Sequence, residues 1–212
     1  MPYILYGDKG SGAFCVEAAL AEAGAAYEFK TVSLDKDEQK EPAYLAINPS
    51  GKIPALKLPG GEIVTESAGL LLTVADCHPE AKLLPAPGTP ERAQCLRWIA
   101  FMASEVYPMV EISDYPARFV PSGAAAAALK SKVQARIRER LLIVEKNVAG
   151  PWLVAGGFSA ADIYAAMFSR WRNTLGKEWL EAGHLTRLGA ISKALSKRPR
   201  IAPVWARHFG QQ

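Results

Sequence analysis

Residues 48–67, NPSGKIPALKLPGGEIVTES, combine strand-forming residues with features that interrupt a strand. Two short apolar runs, over 53–58 and 62–64, flank a Pro-Gly-Gly turn, which is the pattern of a β-hairpin. Pro54 lies inside the first run, and because proline cannot donate to a sheet ladder, it belongs at an edge or in a turn. We therefore expect the backbone of Ile53 to pair with something other than its own sheet.

The chain before this hairpin alternates between strand and helix patterns. Residues 3–6 and 27–34 have strand character, and between them an alanine-rich segment has the apolar spacing of a helix over 13–23. Gly24 follows directly, as a glycine does at the C-terminal end of a helix. A second apolar helix is predicted over 67–76. The order β-α-β, β-β-α predicts a small α/β unit.

A proline-rich segment, HPEAKLLPAPGTPER (78–92), separates the two halves of the chain. This density of proline favours a linker. Beyond it only helices are predicted: Thr89-Pro90 is a typical helix start, and an apolar stripe indicates a long helix over 125–148. The predicted parts are an α/β domain over 1–78, a linker over 79–89 and an all-α domain over 90–212.

Ser159 and Asp162 lie in the segment FSAADI with the spacing of a capping box. Ser159 can cap a helix while Asp162, at the third helical position, returns a hydrogen bond to the cap. Loss of Ser159 is expected to cost about 1 kcal/mol, as for other helix caps. This segment predicts a well-started helix and no chemistry.

The composition excludes several classes of protein. The net charge of +4 over 212 residues is too small and scattered to favour nucleic acid as a partner. No apolar run approaches the roughly 20 residues needed to cross a membrane, and we expect no signal peptide. The cysteines, Cys15, Cys77 and Cys95, lack metal-site and CxxC spacing, so we expect free thiols, no metal and a cytoplasmic location.

Four segments together resemble motifs of the glutathione S-transferase superfamily. NPSGKIPAL (48–56) resembles its N-P-x-G-x-[IV]-P-x-L segment, and EIVTES (62–67) resembles its x-[IL]-x-E-S turn. FSAADIYAA (158–166) is similar to the capping box of its helical domain, and KRPRIAPVW (197–205) to its C-terminal Arg-Pro segment. The match runs almost end to end and leaves the class open among serine-type, beta-like and theta-like bacterial members. It implies a thioredoxin-like α/β N-terminal domain followed by an all-α helical-bundle C-terminal domain.

The resemblance also implies a glutathione site at the hairpin. In such proteins the proline corresponding to Pro54 is cis, and Ile53 pairs its N–H and C=O with the cysteinyl backbone of glutathione, as an added strand would. Glu66 then neutralises the γ-glutamyl ammonium of the tripeptide. Ser67, at a helix N-terminus, binds the γ-glutamyl carboxylate.

The remaining substrate contacts are implied in the same way. The glycine carboxylate of glutathione needs a cation, which Lys36 or Lys52 can supply, although much of the family has glutamine in place of Lys52. A small hydrophobic electrophile is expected in the helical domain near Ser104, Glu105 and Tyr107. The corresponding segment of bacterial relatives also reaches the partner subunit's glutathione, which implies a homodimer.

Transfer requires the thiolate of glutathione, because the thiol is a poor nucleophile. Lowering an ordinary cysteine pKa by about 2 units requires about 2.7 kcal/mol. One hydrogen bond to the sulfur and a helix N-terminus are enough to supply it. The donor is expected in YGDKGSGAFC (6–15), between the first strand and the first helix, and Ser11 is the first candidate because glycines flank its small hydroxyl.

The sequence leaves alternatives to Ser11 open. Tyr6 aligns with the catalytic tyrosine of tyrosine-type members, but it can equally be a strand core residue. Cys15 lies one turn inside the helix, where a packed, inert thiol is expected. The backbone N–H groups of Ser11 and Gly12 can stabilise the sulfur instead, and Phe14 is assigned to the glutathione site with them.

The expected activity is that of a glutathione transferase with a role in detoxification and with glutathione as co-substrate. A glutathione-dependent isomerase, dehalogenase or disulfide reductase uses the same thiolate and fits the same motifs. A non-catalytic binding or assembly module that kept the fold is an alternative of another class. The motifs do not identify the electrophile, because a fold does not decide chemistry.

Overall fold

The computed structural model describes residues 1–210. The strands are β1 (Tyr3–Gly7), β2 (Tyr27–Thr31), β3 (Ala55–Lys57) and β4 (Ile63–Thr65). The α-helices are α1 (Ala13–Ala23), α2 (Pro42–Leu45), α3 (Ser67–Cys77), α4 (Pro90–Glu105), α5 (Tyr107–Asp114), α6 (Ala124–Lys146), α7 (Ala160–Arg170), α8 (Arg172–Leu175), α9 (Lys177–Glu181), α10 (Thr186–Leu195) and α11 (Ala202–Phe209). Short 3-10 turns lie at Glu38–Lys40, Pro79–Ala81 and Pro116–Arg118.

The strands form one mixed sheet in the order β2-β1-β3-β4. β2 runs parallel to β1, whereas β3 is antiparallel to both β1 and β4. Tyr6 lies opposite Lys30 and Ala55, and Ala55 in turn lies opposite Thr65. The C-terminal ends of β1, β2 and β4 and the N-terminal end of β3 therefore lie at the same end of the sheet.

The observed element limits follow from local backbone requirements. Gly24 ends α1 in the left-handed conformation, with φ 68°, and its N–H donates to the last turn of the helix. β3 begins only at Ala55, two residues later than predicted, because Pro54 has no N–H for the ladder. All four strands precede residue 66, and the described part of the second half, 85–210, is helical, which confirms the predicted fold class.

The chain divides into two compact units. The first unit contains Met1–Leu84 together with the described chain from Ala194 onward, and the second contains Pro85–Lys193. The C-terminal segment belongs to the first unit because α11 packs on α1. Phe14 of α1 makes ring contacts with Trp205 and Phe209, at centroid distances of 5.5 and 4.8 Å.

The second unit is built from α4 to α9 and most of α10. The predicted cap of α4 is present, since the Thr89 hydroxyl oxygen accepts the Arg92 N–H at 3.2 Å. The buried Glu145 carboxylate of α6 accepts the N–H groups of Arg187 (2.7 Å) and Leu188 (2.9 Å) at the start of α10. A carboxylate in this position stabilises a helix N-terminus.

Ser159 and Asp162 form the predicted capping box at the start of α7. The buried Asp162 carboxylate accepts hydrogen bonds from the Ser159 N–H (2.8 Å), the Ser159 hydroxyl (3.1 Å) and the Leu153 N–H (2.7 Å). Burial raises the pKa of Asp162 to about 6, although these hydrogen bonds act in the opposite direction.

Across residues 1–210, no helix has both the length and the apolar character needed to cross a membrane. The same part of the chain brings no three His, Cys, Asp or Glu side chains together in a way that could hold a metal ion. All three cysteines are free thiols; Cys15 and Cys95 are buried, and Cys77 is exposed.

Candidate functional site

The segments singled out in the sequence meet at one end of the sheet. The β1–α1 loop (8–12) leaves the C-terminal end of β1, Ile53-Pro54 enters the N-terminal end of β3, and Glu66-Ser67 leaves the C-terminal end of β4. These three strand ends are neighbours in the sheet register. The candidate site is this end of the sheet, and all of it belongs to the first unit.

The loop before β3 is held by side chains that hydrogen-bond to one carbonyl. The Lys52 carbonyl accepts the Tyr44 hydroxyl at 2.8 Å and the Asn48 amide at 2.7 Å, while the Asn48 Oδ1 accepts the Ser50 N–H at 3.1 Å. Gly51 has φ 60°, and a Cβ there would lie 3.1 Å from a backbone oxygen. The glycine of NPSG is therefore needed both for its conformation and for its space.

Ile53 follows this fixed loop, and its peptide bond to Pro54 is cis, as the resemblance implied. Its side chain packs against the buried cluster of Val32, Tyr44 and Ala55. Neither the N–H nor the C=O of Ile53 has a hydrogen-bond partner within residues 1–210. Such a pair of groups at a strand entrance can bind an extended peptide backbone.

Glu66 has an unusual backbone conformation, with φ 66° and ψ 106°, just before α3. A non-glycine residue held at positive φ costs about 1–3 kcal/mol and persists only where its surroundings impose it, often at functional sites. The Glu66 side chain is exposed and makes no ion pair or hydrogen bond with the described residues. Ser67, the first residue of α3, is only 5% exposed. A carboxylate and a helix N-terminus thus lie side by side.

The β1–α1 loop is tied together by Asp8 and Ser11. The Ser11 hydroxyl donates to the Asp8 carbonyl at 2.7 Å and accepts the N–H groups of Asp8 (3.4 Å) and Ala13 (3.1 Å). A hydroxyl has one proton to donate, and here that proton is directed into the loop. The Asp8 carboxylate accepts the N–H groups of Lys9 and Leu34, each at 2.8 Å. β2 ends at Thr31, earlier than predicted, and beyond it the N–H groups of Ser33 and Leu34 donate to the carboxylates of Glu38 and Asp8.

Gly12 lies at the N-terminus of α1 with φ −59°, and its N–H has no acceptor within residues 1–210. Cys15 is fully buried, its thiol donates to the Gly12 carbonyl at 3.1 Å, and burial raises its pKa. Cys15 is therefore the packed thiol that the sequence favoured. Phe14, which the resemblance assigns to the glutathione site, has a fully buried side chain that packs against α11.

Tyr6, the other hydroxyl candidate, is half-buried in β1. It packs against the same cluster as Ile53, with its ring 6.3 Å from that of Tyr44 in an edge-to-face contact. This packing is typical of a residue at the edge of a strand core, and the hydroxyl role of Tyr6 stays a prediction. Gly12 thus supplies the unpartnered donor at the start of α1, in the segment where the sequence predicted a donor.

The structure also gives the surroundings of the lysines predicted to bind the glycine carboxylate and of the residues predicted to lie near the electrophile. Lys36 and Lys52 are both exposed. In the second unit, Ser104 is exposed near the end of α4, and Glu105 forms an ion pair with Arg140 at 3.1 Å. Tyr107 begins α5 and is half-buried. Its ring contacts those of Tyr164, Phe168 and Trp171, at centroid distances of 6.3, 5.4 and 5.5 Å.

Several positioning residues were missed from the sequence. Asn48 carried a local signal, because asparagine before a turn commonly hydrogen-bonds the backbone two residues on. Asp8 carried none, since its partner Leu34 is 26 residues away. His208 accepts the Gly10 N–H at 3.0 Å across 198 residues, a contact that only the folded chain reveals.

Comparison with known proteins agrees with this geometry. A family model described as glutathione S-transferase, N-terminal domain, matches residues 13–76. The chain is 28% identical over 205 residues to the uncharacterized GST-like protein YncG of Escherichia coli, covering 96% of this chain and 97% of that protein. It is 30% identical over 171 residues to the glutathione S-transferase-like protein tpcF of Aspergillus fumigatus, covering 76% of this chain and 75% of that protein.

Among solved structures, a glutathione transferase homolog from Sulfitobacter with bound glutathione is similar throughout. The TM-score is 0.88 at 26% sequence identity, and the match covers 98% of this chain and 99% of that one. Sequence motifs, fold and relatives therefore agree: the chain belongs to the glutathione S-transferase superfamily.

Proposed function

We propose that this chain binds glutathione at the candidate site and activates its thiol for attack on a small hydrophobic electrophile. The observation that supports this most strongly is the meeting of three unpartnered groups at one end of the sheet. These are the backbone of Ile53, the carboxylate of Glu66 and the N–H of Gly12. Each matches a different part of the tripeptide: the cysteinyl backbone, the γ-glutamyl ammonium and the sulfur.

The two ends of glutathione are charged and require opposite partners. Glu66 binds the ammonium of the γ-glutamyl group, and the N-terminus of α3 at Ser67 binds its carboxylate. Each charge-assisted hydrogen bond contributes about 1.5–3 kcal/mol. Lys36 or Lys52, both exposed, neutralises the glycine carboxylate.

The thiolate is stabilised by the N–H of Gly12 and by the partial positive charge of the α1 N-terminus. A hydrogen bond and a helix dipole together supply the roughly 2.7 kcal/mol that a 2-unit fall in thiol pKa requires. The Ser11 hydroxyl is engaged with Asp8, so its primary role is to hold the loop. Direct donation by Ser11 would require that bond to break.

The electrophile is proposed to contact Ser104 and Tyr107 of the second unit. Tyr107 is half-buried, and its exposed part supports contact with a hydrophobic second substrate, because aromatic side chains bury large apolar areas. The free thiols support a reducing compartment, which we propose to be the cytoplasm. A homodimer is the expectation from the family resemblance, and sedimentation of the full chain tests it.

Turnover of a generic aromatic electrophile with glutathione tests the proposed function. We expect saturable conjugation that depends on both substrates and is lost without glutathione. Saturable glutathione binding with no conjugation, isomerisation, dehalogenation or disulfide reduction would instead support a non-catalytic module. Absence of glutathione binding would contradict the proposal as a whole.

Two substitutions at one position test the thiolate donor. Gly12→Pro deletes the N–H, and the φ of −59° suits proline; Gly12→Ala keeps the N–H and adds a methyl group. We expect G12P to raise the pKa of the bound thiol and lower the conjugation rate about tenfold, as loss of one hydrogen bond allows, with G12A much closer to the parent. Equal losses in the two variants would point to crowding and would remove the N–H from the mechanism.

Ser11→Ala distinguishes the two roles of that residue. If Ser11 holds the loop, S11A lowers the free energy of unfolding as well as the rate. If its hydroxyl donates to the sulfur, S11A raises the thiol pKa and cuts the rate at least about tenfold with stability unchanged. A pH–rate profile measured beside a urea unfolding curve separates these results.

A further inference from the structure

The C-terminal helix α11 reaches the β1–α1 loop through one side chain, His208. Its Nδ1 accepts the Gly10 N–H at 3.0 Å, and its Nε2 lies 2.8 Å from Oε2 of Glu17 in α1. His208 and Glu17 are both buried. This contact ties the end of the chain to the loop that carries Ser11 and Gly12.

The hydrogen bonds define which imidazole nitrogen holds the proton. A backbone N–H can only donate, so Nδ1 is unprotonated, and the ring proton lies on Nε2 and is donated to Glu17. The Glu17 carboxylate also accepts the Tyr27 hydroxyl at 2.9 Å and the Arg207 guanidinium. With these partners the carboxylate is satisfied in a buried position and fixes the ring of His208.

The loop depends on this contact because its own sequence permits other conformations. Gly10 has φ 70°, a region that glycine enters as readily as the usual one. The bonds of Ser11 and Asp8 fix the loop from within, whereas the His208 bond fixes Gly10 from outside it. Gly12 lies two residues further on, so a shift at Gly10 moves its N–H.

We propose that His208 is a positioning residue for thiol activation, holding Gly10 so that the N–H of Gly12 meets the sulfur of glutathione. This inference rests on the proposed function for its chemical consequence. The geometric part, that His208 holds the loop, stands on the observed hydrogen bonds and can be tested without any substrate.

Two substitutions separate the two bonds of the ring. In His208→Asn the amide oxygen can take the place of Nδ1 and accept the Gly10 N–H, while the bond to Glu17 is lost. In His208→Gln the amide N–H can take the place of Nε2 and donate to Glu17, while the bond to Gly10 is lost. Arg198→Gln is the control, because Arg198, just before α11, pairs with Glu22 of α1 and not with His208 or Glu17.

The measurements are amide hydrogen exchange at Gly10 and the pKa of the bound glutathione thiol, read from its ultraviolet absorbance. We expect the Gly10 amide of H208Q to exchange about tenfold faster than that of the parent, as loss of one hydrogen bond allows. The same variant should raise the thiol pKa and lower kcat/KM about tenfold, because small misplacements of a reacting group are costly. H208N should restore most of both properties, and R198Q should leave both unchanged.

Two results would overturn the proposal. One is equal exchange in H208Q and H208N, which would make His208 a core residue with no hold on the loop. The other is faster exchange in H208Q with an unchanged thiol pKa, which would separate the loop from thiol activation. Glutathione binding by the parent protein is measured in the same series. If the parent does not bind glutathione, the proposed function fails, and the exchange rates then test only whether His208 holds the loop.

Discussion

Glu66 is the residue in which backbone strain and chemistry coincide. Its φ of 66° is unfavourable for a side chain with a Cβ, yet its carboxylate is exposed and has no partner in the described chain. If this position served only to end the strand, glycine would adopt the same backbone conformation at a lower free-energy cost. The strained backbone places a negative charge beside the N-terminus of α3, which fits a ligand that carries both an ammonium and a carboxylate.

Glu66→Gln tests this interpretation because it keeps the shape and removes the charge. We expect the affinity for glutathione to fall tenfold or more, since a hydrogen bond to a charged group contributes about 1.5–3 kcal/mol. Stability should not change, because the carboxylate has no intramolecular partner to lose. Calorimetric titration of glutathione measures the affinity.

Glu62→Gln is the matched control, an exposed carboxylate on the same hairpin. It should bind glutathione as the parent does. If the glutathione affinity of E66Q stays within about twofold of the parent, the change is smaller than the loss of one such hydrogen bond would cause. That result would show that the charge of Glu66 does not contribute to glutathione binding.

At the scale of single elements, capping residues explain where helices start and also introduce a pH dependence. α7 begins at the box of Ser159 and Asp162, whose carboxylate is buried with three hydrogen-bond donors around it. Its pKa is raised from the ordinary 3.8 to about 6. The folded protein therefore retains this proton at pH values where the unfolded chain has released it.

Asp162 should make the protein less stable as the pH rises from about 4 to about 6, with no further change above. In that window the folded state binds more protons than the unfolded state, so its stability falls with pH, by up to about 3 kcal/mol for a 2-unit shift. Asparagine does not titrate in this range, so the free energy of unfolding of Asp162→Asn should not fall with it. The difference in that free energy between the parent and the variant should therefore decrease as the pH rises from about 4 to about 6. Urea unfolding of both proteins at several pH values measures this, and a parallel pH dependence would contradict it.

Element limits and loops show which features could be predicted from the sequence and which could not. Local patterns were sufficient for the ends of α1 and α4, because Gly24 and Thr89-Pro90 act on their own neighbours. The motif NPSG predicted a tight loop, but not that Tyr44 and Asn48 hold the Lys52 carbonyl. The Tyr44 bond depends on how α2 packs, which no spacing in the sequence encodes.

At the scale of the whole molecule, the chain crosses from the first unit to the second and returns. The sequence predicted one helical domain over 90–212, and the apolar pattern of α11 is the same whichever unit the helix packs against. What determines its place is long-range chemistry: the buried Glu17 of α1 binds Arg207 and His208, and Glu22 binds Arg198. The sequence therefore predicted the part of the candidate site that lies within one motif, around Ile53 and Glu66. It did not predict the part that α11 supports, which is the β1–α1 loop.

Removal of the returning segment should therefore destabilise the first unit selectively. A chain that ends at residue 193 loses every α11 contact to Phe14 and removes both Arg207 and His208 from Glu17. Loss of a buried charge's partner costs about 3–5 kcal/mol. We expect amides of Met1–Leu84 to exchange much faster while those of Pro85–Lys193 stay protected, as hydrogen-exchange mass spectrometry would show. Unchanged protection in the first unit would contradict this division.

The most direct measurement is a crystal structure of the full chain soaked with glutathione. We predict the cysteinyl backbone paired with Ile53, the γ-glutamyl ammonium at Glu66 and the sulfur within about 3.5 Å of the Gly12 nitrogen, the outer limit for such contacts. A tripeptide bound elsewhere, or a sulfur in contact with a different donor while Gly12 remains unpartnered, would contradict the proposed site and its chemistry.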